Sequence, residues 1–166
     1  MSRQPLTPSR PDREFPDATD VAIIRALQAD GRLPFVRVAE LAGVSERTVR
    51  RKFHRMVADG ALRVVAVANP LTMGFTCPAI MGIQCELTRV EEVVRALCAL
   101  RQLRFVSLTT GRHDILVEGY FPTHDDLYAF RSGVLHRIDG VVSSQVAIVL
   151  RIDKQIYLWN LQRDDS

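Results

Sequence analysis

The sequence predicts an α+β chain: an N-terminal helix-turn-helix (winged-helix-like) domain followed by a ferredoxin-like βαββαβ domain. Length is the first observation behind this. At 166 residues the chain suits one ordinary domain of roughly 100–150 residues or two small ones. The second is the apolar period, which has helical spacing before Asn69-Pro70 and alternates between strand and helix spacing after it. Charge supplies the third. Residues 1–68 carry 12 basic and 8 acidic side chains, net +4, whereas residues 69–166 carry 10 and 11, net −1. A basic half beside a near-neutral half suggests a polyanion-binding module joined to something else. The division expected is an arm over 1–16, the helix-turn-helix domain over 17–62, a connecting strand and hinge over 63–78, the βαββαβ domain over 79–154 and a tail over 155–166. A hydrophobic content of 47% excludes a wholly disordered chain. The absence of any run of about 18 apolar residues excludes a spanning helix.

Residues 1–16 hold four prolines and no apolar core of a signal peptide, so they read as a flexible arm. Asp17 caps the first helix, with Asp20 three positions on favouring the positive end of its dipole. Ile23, Ile24 and Leu27 recur at helical spacing until Asp30-Gly31. A second helix over about 36–42 buries Val38 and Leu41, and Gly43 ends it. Ser45 caps a third helix running to about Asp59. Its stripe is Val49, Phe53, Met56 and Val57, at i, i+4, i+7 and i+8. Gly60 suits the left-handed residue that closes a helix. Leu62 to Val67 is β-rich.

In the second half, residues 79–86 read as a strand and 90–100 as a helix with Val93, Val94, Leu97 and Leu100 inward. Residues 105–109 and 115–121 read as strands joined by a turn at Gly111-Arg112-His113-Asp114. Thr123 and Asp126 have near capping-box spacing and open a helix through Leu127, Phe130 and Leu135. Residues 141–152 form a last strand on which Val146, Ile148, Leu150 and Ile152 alternate. That order is the split βαβ pattern.

The chemistry concentrates on the third helix. A short helix pair with a glycine turn fits a helix-turn-helix unit: small Ala39 permits close approach, Gly43 the turn, and Val49 pins the third helix. Arg47, Arg50, Arg51, Lys52 and Arg55 fall within nine residues free of acids. Ser45, Arg47, Thr48, Arg50 and Arg51 occupy the end that meets base edges, where Arg addresses guanine and Thr a thymine methyl or phosphate. Lys52, His54 and Arg55 lie farther along, suited to phosphates. Arg supplies 20 of the 22 basic residues, and its planar fork suits phosphate and guanine, although GC-rich codon usage gives the same bias. Cys77, Cys85 and Cys98 show no metal or disulfide spacing. No nucleophile motif or phosphate loop occurs. The expectation is a reduced, cytoplasmic protein that is not an enzyme and has no catalytic residues, metal or cofactor.

The sequence resembles the Lrp/AsnC (feast/famine) family of transcription regulators. The matching residues are Asp17-Ala18-Thr19-Asp20, Ile23 to Leu27, Asp30-Gly31-Arg32, Leu41 to Ser45, Thr48 to Lys52, Asp59 to Leu62, Gly111 to Asp114 and Gly140-Val141, covering roughly 17–154. The resemblance implies sequence-specific binding of a pseudo-palindromic double-stranded DNA operator. It also implies a homodimer paired through the second domain's sheet, assembling to tetramer or octamer, and no membrane. An amino acid or related small metabolite would bind between effector domains at the G-x-x-D turn. Here that turn is Thr110, Gly111, Arg112, His113 and Asp114, with Ser144 from the last strand. From the residues alone, Asp114 suits an ammonium and Arg112 an anion, while a plain hairpin turn fits equally well. Two departures stand out: His113 where an aromatic is frequent, and Val146 where a second hydroxyl is frequent. The alternatives are a decarboxylase of tetrapyrroles such as sirohaem on the same fold, and a ligand-independent DNA-architectural protein.

Overall fold

The computed structural model describes residues 16–156. The arm before residue 16 and the tail after 156 lie outside these residues. The described chain divides into two compact units, up to Ala66 and over Val67–Gln155.

The first unit holds α1 (Ala18–Ala29), α2 (Phe35–Ala42) and α3 (Glu46–Ala58). Each begins where local chemistry permits. Asp17 and Asp20 form a full capping box on α1, Pro34 precedes α2, and the Ser45 hydroxyl accepts the Thr48 amide of α3. Gly43 (φ 66°) and Gly60 (φ 73°) close α2 and α3 in the left-handed region, as their positions in the sequence predict. Ile23, Ile24, Ala26, Leu27, Val38, Ala39, Val49 and Met56 form the core of this unit. Two expected core residues are outside it. Leu41 is 65% exposed because α2 turns Val38, Ala39 and Ala42 toward its neighbours, and two turns of helix have no second buried face. Val57 is also exposed, whereas Phe53 packs against Phe35 with ring centroids 5.0 Å apart.

The β-rich stretch after Leu62 forms no strand in this chain: Val64, Val65 and Val67 are exposed and unpaired with any described strand. β propensity alone does not make a strand, which requires a partner edge.

The second unit is β1 (Cys77–Cys85), α4 (Val90–Ala99), β2 (Leu103–Leu108), β3 (Ile115–Phe121), α5 (His124–Gly133) and β4 (Val141–Ile148). The strands form one antiparallel sheet in the order β2-β3-β1-β4, the ferredoxin-like arrangement. Odd-numbered residues of β1 and β3 face α4 and α5, giving a core of Met81, Ile83, Val93, Leu97, Ile115, Val117, Phe121 and Phe130 among others. Thr123 and Asp126 complete the predicted capping box of α5. β4 is shorter than expected. Its ladder to β1 runs out after the Val149 amide donates to the Pro78 carbonyl at 2.9 Å, and Pro78 has no N–H to return. Leu150 is accordingly 96% exposed. Among the described residues no helix is long and apolar enough to cross a membrane.

Candidate functional site

The basic residues of α3 divide into two sets. Val49 and Met56 seat the helix on α1 and α2, and what each cation does follows from its angle to that seam. Arg47, Thr48 and Arg51 line one open hollow on the outward side. Both arginines are exposed. Ser45 is held at the N-cap, its hydroxyl 2.9 Å from that of Thr48. Arg50 is exposed but engaged: its Nε and Nη2 donate to Glu46 at 2.8 and 2.5 Å, and its guanidinium stacks 5.2 Å over the Phe35 ring.

Lys52 and Arg55 point elsewhere. Lys52 is buried, and its Nζ donates to Asp17 at 2.6 Å and to Asp20 at 3.0 Å. Arg55 donates to the second oxygen of Asp20 at 2.7 Å. The buried Asp20 carboxylate therefore joins the first turn of α1 to the middle of α3. Burial works against the Lys52 charge, yet hydrogen bonds to Asp17 and Asp20 hold its pKa above the ordinary value. The same Lys52 bond holds the Asp17 carboxyl below the usual range. Sequence reasoning missed this clamp. One signal for it was present: Lys is used at only two positions in an arginine-dominated chain, and a compact ammonium can enter a space that a guanidinium fork cannot.

In the second unit the β2–β3 turn is tied down at several points. The Thr109 hydroxyl donates to the His113 carbonyl at 2.7 Å, and the Asp114 amide donates to the Ile83 carbonyl at 3.0 Å. Gly111 has φ 108°, a conformation that other residues rarely adopt. Asp114 accepts the Cys85 amide at 2.9 Å beside the bulge at Gln84/Cys85, so one carboxylate oxygen is committed across the sheet. Its charge and burial hold the Cys85 thiol above its ordinary pKa, burial being the larger cause. Thr110 and Arg112 are exposed, and the Arg112 carbonyl accepts Gln84 Nε2 at 3.3 Å.

His113 lies on the sheet face away from the helices, directly over Gly82. A Cβ on Gly82 would stand 2.4 Å from His113 Cδ2. The Nδ1 of His113 is buried without a hydrogen-bond partner. Ser143 reaches the turn on this face through Gln84, its hydroxyl donating at 2.6 Å. Ser144 does not. It pairs opposite Ile83 on the helix-covered side, where it meets Arg131 and His136. Of the residues assigned to one effector site, the turn and Ser144 therefore occupy opposite faces of the sheet.

Comparison with known proteins matches both units. Residues 17–57 match the AsnC-type helix-turn-helix domain, and residues 78–157 match the Lrp/AsnC ligand binding domain. An uncharacterised HTH-type transcriptional regulator of Pyrococcus abyssi is 31% identical over 142 residues, covering 85% of this chain and 90% of its own. One from Pyrococcus horikoshii is 30% identical over the same length, covering 85% and 90%. Among solved structures, E. coli AsnC superposes with a TM-score of 0.80 at 21% identity, covering 87% of this chain and 99% of its own. The L-Met complex of a Neisseria meningitidis transcriptional regulator gives 0.81 at 21%, covering 89% and 97%. These two structures share the fold. Taken together with the helix-turn-helix unit and the antiparallel βαββαβ sheet, the matches show that the chain belongs to the Lrp/AsnC family of transcriptional regulators, with a DNA-binding and a ligand-binding domain.

Proposed function

We propose that the protein is a cytoplasmic, non-enzymatic regulator that reads a pseudo-palindromic operator as a homodimer and answers to an amino acid or related small metabolite. One observation carries the DNA reading: Arg47, Thr48 and Arg51 line a single outward hollow on a helix whose opposite side is fixed by buried Val49 and Met56. Two arginines flanking a threonine suit guanine edges and neighbouring phosphates in the major groove. Two-fold pairing would mirror the operator's symmetry. Its basis in this chain is the exposed apolar row on the open sheet face, Phe105 and Ile80, with Ala147 beside them. Larger assemblies, tetramer or octamer, would multiply modest contacts into useful affinity.

The effector reading draws on the matched ligand-binding domain and on the L-Met bound to the Neisseria meningitidis neighbour. Against a decarboxylase stands the scatter of imidazoles: His113 lies over the open face, while His136 bonds Ser144 beneath the other. Adding sirohaem and following its visible bands tests that alternative directly.

The deciding experiment is operator binding by variants of α3 across a salt series. Arg51→Ala and Arg47→Ala should each cost about 1–3 kcal/mol of specific affinity where a base contact is lost. Arg50→Ala should cost less, because its guanidinium is already shared between Glu46 and Phe35. Wild-type binding by the Arg47 and Arg51 variants overturns the assignment. For the effector, melting curves with amino acids at about 100 times their dissociation constant should gain roughly 2.7 kcal/mol. An absence of any ligand effect on stability or DNA affinity favours the architectural alternative.

A further inference from the structure

Glu46 is the one acid of α3, and it stands at the first position of that helix, directly before Arg47 and Thr48. A carboxylate on an element that approaches DNA is repelled by the nearby phosphates whatever the sequence. Two structural roles account for part of its presence. An acid in the first turn complements the helix dipole, and Glu46 pairs with Arg50 one turn on. On an exposed helix both contribute little, and neither calls for the geometry that surrounds this carboxylate.

The pairing is one-sided. Arg50 donates through both Nε and Nη2 to Oε1, at 2.8 and 2.5 Å, and among the described residues no hydrogen bond reaches Oε2. The guanidinium is held in turn, stacked 5.2 Å over the ring of Phe35, the first residue of α2. That ring packs on Phe53 with centroids 5.0 Å apart. Rings, guanidinium and carboxylate thus form a continuous support that ends on the first turn of α3. The Glu46 side chain remains 38% exposed. One of its oxygens is spent on the chain and the other is open to a ligand, beside the Arg47 that lines the outward hollow.

An ionised carboxylate oxygen can only accept a hydrogen bond. The N-terminal residues of a recognition helix meet base edges in the major groove. There guanine presents two acceptors, and thymine an acceptor and a methyl group, so both repel a carboxylate or leave it unpaired. Adenine sets an acceptor beside its amino group. Cytosine alone presents an amino donor with no acceptor of its own.

We propose that Glu46 is a specificity-determining residue, whose free Oε2 accepts a hydrogen bond from the N4 amino group of a cytosine in each operator half-site. Arg50 is the positioning residue: it holds the carboxylate through Oε1 and offsets its repulsion by phosphates. This also gives a reason for an arginine on α3 to be spent on its own helix. The assignment rests on the DNA reading given above.

The test is selection of binding sites from random double-stranded DNA by the full chain, followed by titration of the selected site with single base pairs changed. Wild type should require cytosine at one position of each half-site, and replacing it should weaken binding about five- to fiftyfold, the loss of one base contact. Glu46→Gln should move the preference at that position to adenine, whose N6 and N7 match an amide. Glu46→Ala should abolish the preference there and leave neighbouring positions unchanged. It should also bind unrelated DNA more tightly, with a salt dependence steeper by about one phosphate contact as Arg50 is released. Arg50→Ala should keep cytosine favoured but narrow its advantage, with Arg50→Lys recovering part. A role in the helix alone lowers affinity for all sequences alike and shifts no preference. Should Glu46→Ala fail to fold, the isosteric Glu46→Gln gives the same reading. Unchanged base preference in the Glu46 variants overturns the assignment, while enrichment of one sequence by wild type leaves the DNA reading standing. If wild type enriches no sequence, both fall.

Discussion

Burying an ammonium costs several kcal/mol unless its attraction to nearby carboxylates repays that loss, and Lys52 meets two of them. Asp20 is 2% exposed at its side chain and Lys52 11%, so neither has water to fall back on. Removing one partner leaves the other charged and buried. Lys52→Met is expected to destabilise the protein by about 3–5 kcal/mol, measured by urea unfolding. A double variant with Asp20→Asn should recover part of that loss, because the residual buried charge goes too. The pH dependence follows from the signs. Asp17 titrates below its ordinary 3.8, so its contribution is full above that value and is lost as pH falls through the lower folded pKa. Lys52 titrates above its ordinary 10.5, so its contribution is full below that and is lost as pH rises through the higher folded pKa. The stability gap between wild type and Lys52→Met should be flat near neutrality and narrow at both extremes. Melting curves from pH 3 to 11 check this; a gap independent of pH refutes the clamp. Arg55, with its side chain 52% exposed, shares Asp20 yet keeps access to solvent, so Arg55→Ala should cost less.

At the scale of elements, the helices and strands were legible wherever a local signal and a core contact agreed. Asp17, Ser45, Gly43 and the Thr123–Asp126 pair each fixed a boundary through backbone chemistry that is local by nature. Leu41 and the end of β4 were not legible, because both depend on which neighbour is present: two turns of α2 carry apolar residues on more sides than they bury, and β4 lasts only as long as β1 offers partners. The same holds for the effector residues. The turn and Ser144 are close in register at Ile83, but a two-residue period decides which face each takes, and only the pairing fixes it. The packing of His113 on Gly82 belongs to this level as well. An added Cβ at 82 would meet the imidazole at 2.4 Å, a clash with ring atoms beside the backbone rather than with a flexible tip. Gly82→Ala is expected to destabilise the unit by about 1–3 kcal/mol, the usual cost of overpacking. His113→Ala in the same chain should restore much of that loss, and a double-mutant cycle by chemical denaturation measures the coupling. Independent, additive effects would show that the turn does not rest on that glycine.

For the whole molecule, the pairing proposed above turns on the open face of the sheet. Phe105, Glu118, Ile80 and Ala147 form one row across all four strands. Ile80 is 47% exposed and Phe105 52%. A charge in the middle of an apolar face would ordinarily oppose its burial, but Glu118 is already engaged: Arg104 Nε donates to one oxygen at 3.2 Å and the Tyr120 hydroxyl to the other at 3.0 Å. Arg104 also stacks 5.3 Å over the Tyr120 ring. The row's one acid is therefore neutralised from within the chain, which lowers the cost of covering the row, and a second copy is the covering that the proposed two-fold reading calls for. A stable contact of this kind removes about 1,200–2,000 Å² from water, more than one row supplies. Val64, Val65 and Val67 are also exposed and apolar. Ile80→Glu places a second carboxylate opposite Glu118 and, across a two-fold axis, near its own copy. Sedimentation at several concentrations should show the variant shifted toward monomer, with operator affinity falling far more than the single-site loss because paired half-sites no longer act together. Ala147→Ser, a small polar change in the same row, should leave the assembly intact. An Ile80→Glu variant that sediments like wild type would mean that the sheet's open face is not where the copies meet, and pairing would then have to be sought at another surface.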